Sequence, residues 1–88
     1  MMRLKVENIS EGLHPSERVV SVRTKDGSEE LAVDPRSLLN NTLLVGWPVA
    51  TDNGFLLVEL PRQTSRGSRR VWVRKEDLIE EEPMRARA

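Results

Sequence analysis

One segment of the chain decides the fold: TLLVGWPVATDNGFLLVELP, residues 42–61. It holds two apolar runs, separated by Asp52-Asn53-Gly54. An Asn-Gly pair in this position is a strong hairpin signal, because both central residues of a type I′ turn need positive φ. Pro48 has no amide hydrogen, so its part of the strand is predicted to lie at a sheet edge or in a bulge. The segment therefore predicts an antiparallel hairpin whose first strand is interrupted.

The first third of the chain also has the pattern of β-strands. Apolar residues alternate with polar ones in residues 2–9, and residues 17–24 are rich in β-branched side chains. Asp26-Gly27 is a second hairpin signal, and it is followed by the alternating segment 30–34. A first strand and a second hairpin are therefore predicted.

Helical signals are confined to short turns. Asp34 suits the cap of one short helical turn, with Pro35 at its first position. Near the end, residues 69–75 are predicted to form a strand, and a tight turn and a short final strand follow. Short strands at close spacing, with Gly, Asn and Pro between them, predict an all-β fold. We expect a small barrel of about five to seven short strands with one short helical turn.

The 88 residues are enough for a single domain. We expect one β-barrel domain over residues 1–82. Residues 83–88 are expected to form a flexible C-terminal tail, because Pro83 and the mixed charges around it offer no core contact.

Composition narrows the classes of function. Fourteen basic residues balance fourteen acidic ones, so no overall field steers the chain toward DNA, RNA or an anionic membrane. The chain has no cysteine, which removes disulfides, thiolate metal sites and thiol nucleophiles. No apolar run approaches the roughly 18 residues that a membrane span needs. We expect a cytoplasmic protein that needs no cofactor and does not contact a membrane.

A resemblance to a known fold family covers residues 43–80. The sequences LLVGWPVATDNGFLLVELP and RRVWVRKEDLI resemble the second half of a bacterial Src-homology-3-like barrel. The resemblance implies a hairpin tip at Asp52-Asn53-Gly54, a loop over residues 62–69 and a one-turn 3₁₀ connection over residues 75–78. Arg74 stands where many members carry proline. The chain also lacks tyrosine, on which the proline-binding groove of the eukaryotic members depends.

A second resemblance competes over residues 24–61. This segment is similar to the swapped-hairpin DNA-binding units of bacterial transition-state regulators and antitoxin-type repressors. That resemblance implies a dimer with interleaved hairpins and basic residues on the side that faces DNA. Here Glu29, Glu30 and Asp34 stand where positive charge would be expected. We prefer the barrel.

A basic loop precedes the last long strand, with four arginines: Arg62, Arg66, Arg69 and Arg70. Guanidinium groups on a flexible loop can follow phosphates, and Trp72 beside them could stack a base. The acidic residues that follow, from Glu76 to Glu82, could instead pair with these arginines at the surface. Contact with a protein partner is the third alternative. The sequence leaves all three open.

The two tryptophans differ in their expected orientation. Trp72 points opposite to Val71 and Val73, so it faces outward if the valines face the core. Trp47 is expected to share one strand face with Val45 and Val49. An outward tryptophan is a candidate binding residue, because large aromatic residues dominate interface energetics. The alternative is that the tail, the first strand or a dimer mate covers Trp72.

No catalytic constellation emerges from the residue types. His14 is the only histidine, and its His-Pro loop offers neither an orienting carboxylate nor an oxyanion site. One histidine without thiolates does not make an ordinary zinc site. The expected function is therefore a non-enzymatic interaction module, as a monomer or dimer, with a protein as its partner. Nucleic-acid binding is the alternative. The candidate partner-binding residues are Trp72, Arg62, Arg66, Arg69 and Arg70.

Overall fold

The computed structural model describes residues 2–80 as an all-β fold, which confirms the predicted fold class. This range holds ten short strands and two 3₁₀ turns, where five to seven strands and one helical turn were expected. The 3₁₀ turns are Pro35–Ser37 and Lys75–Asp77. The strands are β1 (Met2–Lys5), β2 (Asn8–Glu11), β3 (Arg18–Thr24), β4 (Gly27–Val33), β5 (Leu38–Leu39), β6 (Thr42–Val45), β7 (Ala50–Asp52), β8 (Phe55–Glu59), β9 (Arg70–Arg74) and β10 (Leu78–Glu80).

The strands form three antiparallel sheets. Sheet A has the order β10-β1-β6-β5, sheet B the order β2-β3-β4 and sheet C the order β7-β8-β9. Individual backbone hydrogen bonds join the sheets: Gly46 N–H donates to Glu59 O (2.9 Å) between sheets A and C, and Lys25 N–H to Trp72 O (2.8 Å) between sheets B and C. A closed barrel needs continuous ladders around its whole circumference. The expected closed barrel is therefore not formed.

The core consists mainly of valine and leucine side chains, and all three sheets contribute to it. Alternation along the strands selects them: on β9, Val71 and Val73 are buried while Arg70 and Arg74 are exposed. The buried apolar residues are Met2, Leu4, Val20, Val22, Leu31, Val33, Leu43, Val45, Val58, Leu60, Val71 and Val73.

The two predicted hairpins are both present, but their turns differ. Asn53 and Gly54 have φ of 49° and 85°, as a type I′ turn requires, and this prediction is confirmed. In the β3–β4 hairpin, Thr24 pairs with Gly27, so Lys25 and Asp26 form the loop. Only Gly27 has positive φ there (117°), so the expectation of a type I′ turn at Asp26-Gly27 is wrong. The Thr24 hydroxyl explains the difference, because it accepts from Asp26 N–H (3.2 Å) and organises the turn.

A third hairpin joins β5 to β6. Leu39 pairs with Thr42 across Asn40 and Asn41, whose φ values are 51° and 64°. Asparagine adopts this left-handed region more readily than most residues. The Asn-Asn pair is therefore the sequence signal for this hairpin, which the sequence analysis missed.

Pro48 interrupts the chain between sheets A and C, which confirms its predicted place in an edge or bulge. Neither Pro48 nor its neighbours at 46, 47 and 49 belong to a strand. Val49 N–H donates to Leu57 O (2.8 Å), and Ala50 is also paired with Leu57. Two residues thus oppose one, which is the arrangement of a β-bulge.

The interruption changes the surroundings of Trp47. Val45 is buried, whereas Trp47 is 56% exposed and Val49 is 55% exposed. The expectation that these three residues share one strand face is therefore wrong. The physical reason is that the regular alternation ends with β6 at Val45 and resumes only at β7.

The first 3₁₀ turn has the predicted cap. Asp34 Oδ1 accepts from Arg36 N–H (2.8 Å), and the Arg36 guanidinium donates to both carboxylate oxygens (3.2 and 3.0 Å). These bonds to Arg36 lower the pKa of Asp34 from its ordinary 3.8 to about 2. Pro35 occupies the first helical position, as expected.

Glu7 joins β2 to the β3–β4 hairpin through its side chain. Its carboxylate accepts from the Ser28 hydroxyl (2.5 Å), the Ser21 hydroxyl (3.3 Å) and Arg23 Nε (3.4 Å). The bond from Ser28 is the main cause that lowers the pKa of Glu7. A charged carboxylate is therefore part of the sheet B surface.

The structure describes only part of the predicted domain, residues 1–82. Residues 2–80 share one core cluster. The predicted boundary at residue 82 and the predicted tail, residues 83–88, lie outside the described residues.

Candidate interaction surface

One face of sheet C points away from the core and carries apolar and basic side chains. The register pairs Phe55 with Arg74, Leu57 with Trp72 and Glu59 with Arg70. Residues opposite each other in an antiparallel pair lie on the same face. We call this set the outer face of sheet C: Phe55, Leu57, Glu59, Arg70, Trp72 and Arg74.

Trp72 lies on this outer face. Val71 and Val73, its neighbours on β9, are buried in the core, and Trp72 itself is half-buried. The apolar residues that pack against the core from partly buried positions are Val6, Ile9, Leu38 and Leu78, and neither Trp72 nor Leu57 is among them. Trp72 therefore packs beside its sheet neighbours on the side opposite to the core.

Lys25 covers one end of the outer face. Its Nζ lies 5.6 Å from the centroid of the Phe55 ring, within the range of a cation–π contact. Its N–H donates to the Trp72 carbonyl. The tip of the β3–β4 hairpin thus borders this surface.

The arginine loop is ordered around one buried hydroxyl. Thr64 is only 5% exposed, and its Oγ1 accepts from the N–H groups of Arg66 (3.3 Å) and Ser68 (3.2 Å). Ser65 N–H donates to Glu30 O (2.7 Å) and ties the loop to β4. These hydrogen bonds hold the backbone of residues 64–68 in place within the loop.

Two of the four candidate arginines lie near the outer face. Arg70 is part of it, two residues from Trp72 and opposite Glu59. Arg69 lies next to it, and its Nε donates to the Leu60 carbonyl (3.2 Å). Trp72 and Arg70 are thus brought together as the sequence analysis expected.

The other two arginines are placed differently. Arg66 lies in the turn that Gly67 N–H closes by donating to Thr64 O (2.8 Å). Arg62 contributes to the lowered pKa of Asp34, which shows that its charge acts on the start of the first 3₁₀ turn. Neither residue belongs to the outer face of sheet C.

The predicted self-pairing of the loop is not found within residues 2–80. The ion pairs in this range are Arg23–Glu7 (3.4 Å) and Arg36–Asp34 (3.0 Å). None of the four loop arginines pairs with Glu76, Asp77 or Glu80. Glu81 and Glu82, which the prediction also included, lie outside the described residues, and the four arginine side chains are exposed.

A groove runs along the boundary between sheets A and C, next to the outer face. It has a volume of ≈ 310 Å³. We call it the seam groove. Its lining residues are Leu44, Val45, Gly46, Glu59, Leu60, Pro61 and Arg69.

Three features of residues 2–80 bear on other functional classes. His14 is exposed on the β2–β3 loop, where its carbonyl accepts from Glu17 N–H (2.9 Å). No group of three or more acidic or histidine side chains is placed to hold a metal ion within residues 2–80. Over the same residues, no helix has the length and apolar character needed to cross a membrane.

Comparisons with protein-family models, with curated proteins and with solved structures find no match to this chain. The two fold resemblances therefore stay predictions.

Proposed function

We propose that this chain is a non-enzymatic protein-interaction module and that the outer face of sheet C is its contact surface. The observation that carries the proposal is the pair formed by Trp72 and Leu57 on the side of the sheet that points away from the core. Tryptophan supplies a large apolar area and is enriched among the residues that dominate binding energy.

The basic residues beside this pair support a protein partner with acidic groups. Arg70 and Arg74 flank Trp72 on the same strand face, each roughly 6.7 Å away along β9. A guanidinium can donate two parallel hydrogen bonds to a carboxylate. This surface has apolar residues at its centre and basic residues around them. It is complementary to a partner surface that has an apolar residue at its centre and acidic residues around it.

Nucleic-acid binding is the second candidate function. It is favoured by the four loop arginines, which are exposed and form no ion pair within residues 2–80. Such groups release counterions from a phosphate backbone, so binding would weaken steeply with salt. Glu59 lies opposite Arg70 and reduces the positive potential at the outer face, for an acidic protein and for a phosphate backbone alike. The swapped-hairpin alternative would also require a dimer, whereas the barrel-like alternative acts as a monomer or dimer.

We also propose that the module acts in the cytoplasm without a cofactor. The cysteine-free sequence needs no oxidising compartment for its stability. Its core is made of aliphatic side chains, so its folding requires no metal.

The proposal is tested by affinity capture from a lysate of the source organism, followed by mass spectrometry. The immobilised proteins are the wild type, Trp72→Ala and Leu13→Ala, the last as a control because Leu13 is exposed on the distant β2–β3 loop. We expect specific proteins to be retained by the wild type and by Leu13→Ala and lost with Trp72→Ala. Retention that nuclease treatment abolishes would support the nucleic-acid alternative. Equal retention by all three proteins would contradict the proposal.

A further inference from the structure

Strand β7 adds two residues to the side of sheet C that carries its outer face. The register pairs Ala50 with Leu57 and Asp52 with Phe55, so these β7 residues lie on the same face as their partners on β8. We call the outer face together with Ala50 and Asp52 the full outer face. Its rows across the sheet are Asp52, Phe55 and Arg74, then Ala50, Leu57 and Trp72, then Glu59 and Arg70.

The charges of the full outer face are divided between its two sides. The basic residues, Arg70 and Arg74, are both on β9, whereas the acidic residues, Asp52 and Glu59, are on β7 and β8. None of these four residues forms an ion pair within residues 2–80. A partner of one charge sign would therefore meet like charge on one side of the face. The matching partner has the same two charges in reversed order.

The apolar middle row has a large residue at one end and a small residue at the other. Trp72 lies on β9, Ala50 on β7 and Leu57 between them on β8. Two layers interdigitate best when large residues of one lie over small residues of the other. The matching partner therefore also has its small residue over Trp72 and its large residue over Ala50.

We propose that the full outer face binds the same face of a second copy of this chain, about a two-fold axis parallel to β8. This inference rests on the proposed protein-binding function and names the partner. A rotation about that axis places β9 of each copy over β7 of the other. Arg74 then faces Asp52 of the second copy, and Trp72 faces Ala50 of the second copy. Both the charge order and the order of large and small residues are thus matched by the chain itself.

A two-fold axis that runs across the strands fits less well. It would place β9 over β9, so that Arg70 faced Arg74 of the second copy, and symmetry would produce this repulsion twice. About the proposed axis, Glu59 approaches Glu59 of the second copy. Arg70 lies opposite Glu59 within each copy and offsets that repulsion. The charges therefore select the axis parallel to β8.

The size of the face predicts a weak dimer. Three strands and five residues per strand cover about 14 Å by about 17 Å. This is small beside the interfaces of stable complexes, so we expect a dissociation constant of about 100 µM. At low micromolar concentration the protein is then monomeric, and its outer face is free in the capture experiment.

The test measures self-association of the nuclease-treated protein by sedimentation equilibrium from about 10 µM to about 1 mM. The variants are Asp52→Arg and Arg74→Asp, which reverse the two members of the proposed contact. The Arg74 side chain makes no hydrogen bond that caps the second 3₁₀ turn, so its replacement leaves that turn intact. Glu11→Arg and Arg66→Asp are the matched controls, because they make the same charge changes at exposed positions outside the face.

We expect wild type and both controls to dimerise with similar affinity. Asp52→Arg and Arg74→Asp should each weaken dimerisation by about tenfold or more, because symmetry repeats the reversed contact. An equimolar mixture of these two variants should associate about as tightly as wild type, since each reversed charge then faces its opposite. This recovery also shows that both variants are folded.

The other outcomes overturn the inference. A wild type that is monomeric at about 1 mM contradicts it, as does equal association of wild type and the two single variants. A mixture that associates no better than its components contradicts it as well. Association seen only without nuclease treatment would assign the contact to bridging nucleic acid.

Failure of this inference is distinguishable from failure of the proposed function. If the protein stays monomeric while capture from lysate still depends on Trp72, the dimer is wrong and the proposed function stands. If the mixture restores association while lysate capture does not depend on Trp72, the face serves only as a contact between copies and the broader function is wrong.

Discussion

Leu57 and Trp72 face each other across β8 and β9 on the outer face of sheet C, while the next pair, Val58 and Val71, points into the core. The same two strands thus supply both core residues and the proposed contact surface. Substitutions of the inward-facing residues of a strand should therefore lower stability. Substitutions of the outward-facing residues of the same strand should weaken binding.

Substitutions on β9 test this separation. Val73 is fully buried, so Val73→Ala should lower the free energy of unfolding by about 2 kcal/mol through lost burial and a cavity. Trp72→Ala removes only a cross-strand contact and should cost about 1 kcal/mol or less. Urea unfolding followed by circular dichroism measures both. A loss for Trp72→Ala as large as that for Val73→Ala would make Trp72 a core residue.

The buried hydroxyl of the arginine loop gives a second prediction. Thr64→Val keeps the side-chain shape but removes the acceptor for Arg66 N–H and Ser68 N–H, which should cost about 1 kcal/mol. Amide hydrogen exchange should become faster at residues 66 and 68 and stay unchanged in the core strands. Ser65→Ala is the control, because Ser65 contributes its backbone N–H to the loop. Unchanged exchange in Thr64→Val would show that the loop is ordered by other contacts.

The ion pair of Asp34 and Arg36 predicts a dependence of stability on pH. Folding lowers the pKa of Asp34 from 3.8 to about 2, so the folded protein binds fewer protons than the unfolded chain between these values. The contribution of Asp34 is complete above about pH 4 and is lost as the pH falls through about 2. Asp34→Asn can still cap the turn, so it removes mainly the charge.

Urea unfolding of wild type and Asp34→Asn should therefore differ most above pH 4 and converge near pH 2. Arg36→Gln should show the same reduced dependence, since it removes the group that lowers the pKa. Glu7, whose pKa is also lowered, should preserve a part of the acid sensitivity in both variants. A constant difference between wild type and Asp34→Asn from pH 2 to pH 6 is the opposing result.

Two glycines are predicted to tolerate substitution differently. Gly54 has φ of 85° in the β7–β8 turn, so Gly54→Ala should cost about 1 kcal/mol through backbone strain. Gly46 has no positive φ and has room for a Cβ atom, so Gly46→Ala should change stability by less than about 0.5 kcal/mol. Thermal unfolding compares the two. Strong destabilisation by Gly46→Ala would mean that its groove is part of the packed core.

Much of the architecture could be predicted from local patterns. Alternation identified the inward positions of β9, and Asn53-Gly54 identified a type I′ turn, because both signals depend on neighbouring residues alone. The cap at Asp34 followed from the same kind of local chemistry. The association of Trp72 with Arg70 could also be predicted, since their spacing of two places both on one strand face.

The remaining features depend on contacts between distant segments. The order of the arginine loop comes from Thr64 and from Glu30, which lies more than thirty residues earlier in the chain. Trp47 is exposed because the strand is interrupted around Pro48. The presence of a proline does not by itself predict how many neighbouring residues leave the strand. The seam groove forms only where β6 meets β8, so the sequence of either strand alone does not predict which residues line it.

The central claim is that a protein partner contacts Trp72, and ¹⁹F NMR of the 5-fluorotryptophan-labelled protein tests it most directly. The two tryptophans give two signals, which a Trp47→Phe variant assigns. In lysate of the source organism, the Trp72 signal should shift or broaden, and it should do so in nuclease-treated lysate as well. It should stay as in buffer when the lysate proteins have been digested, and the protease inactivated, before the labelled protein is added. A Trp72 signal that is the same in lysate and in buffer, or that recovers only after nuclease treatment, would contradict the claim.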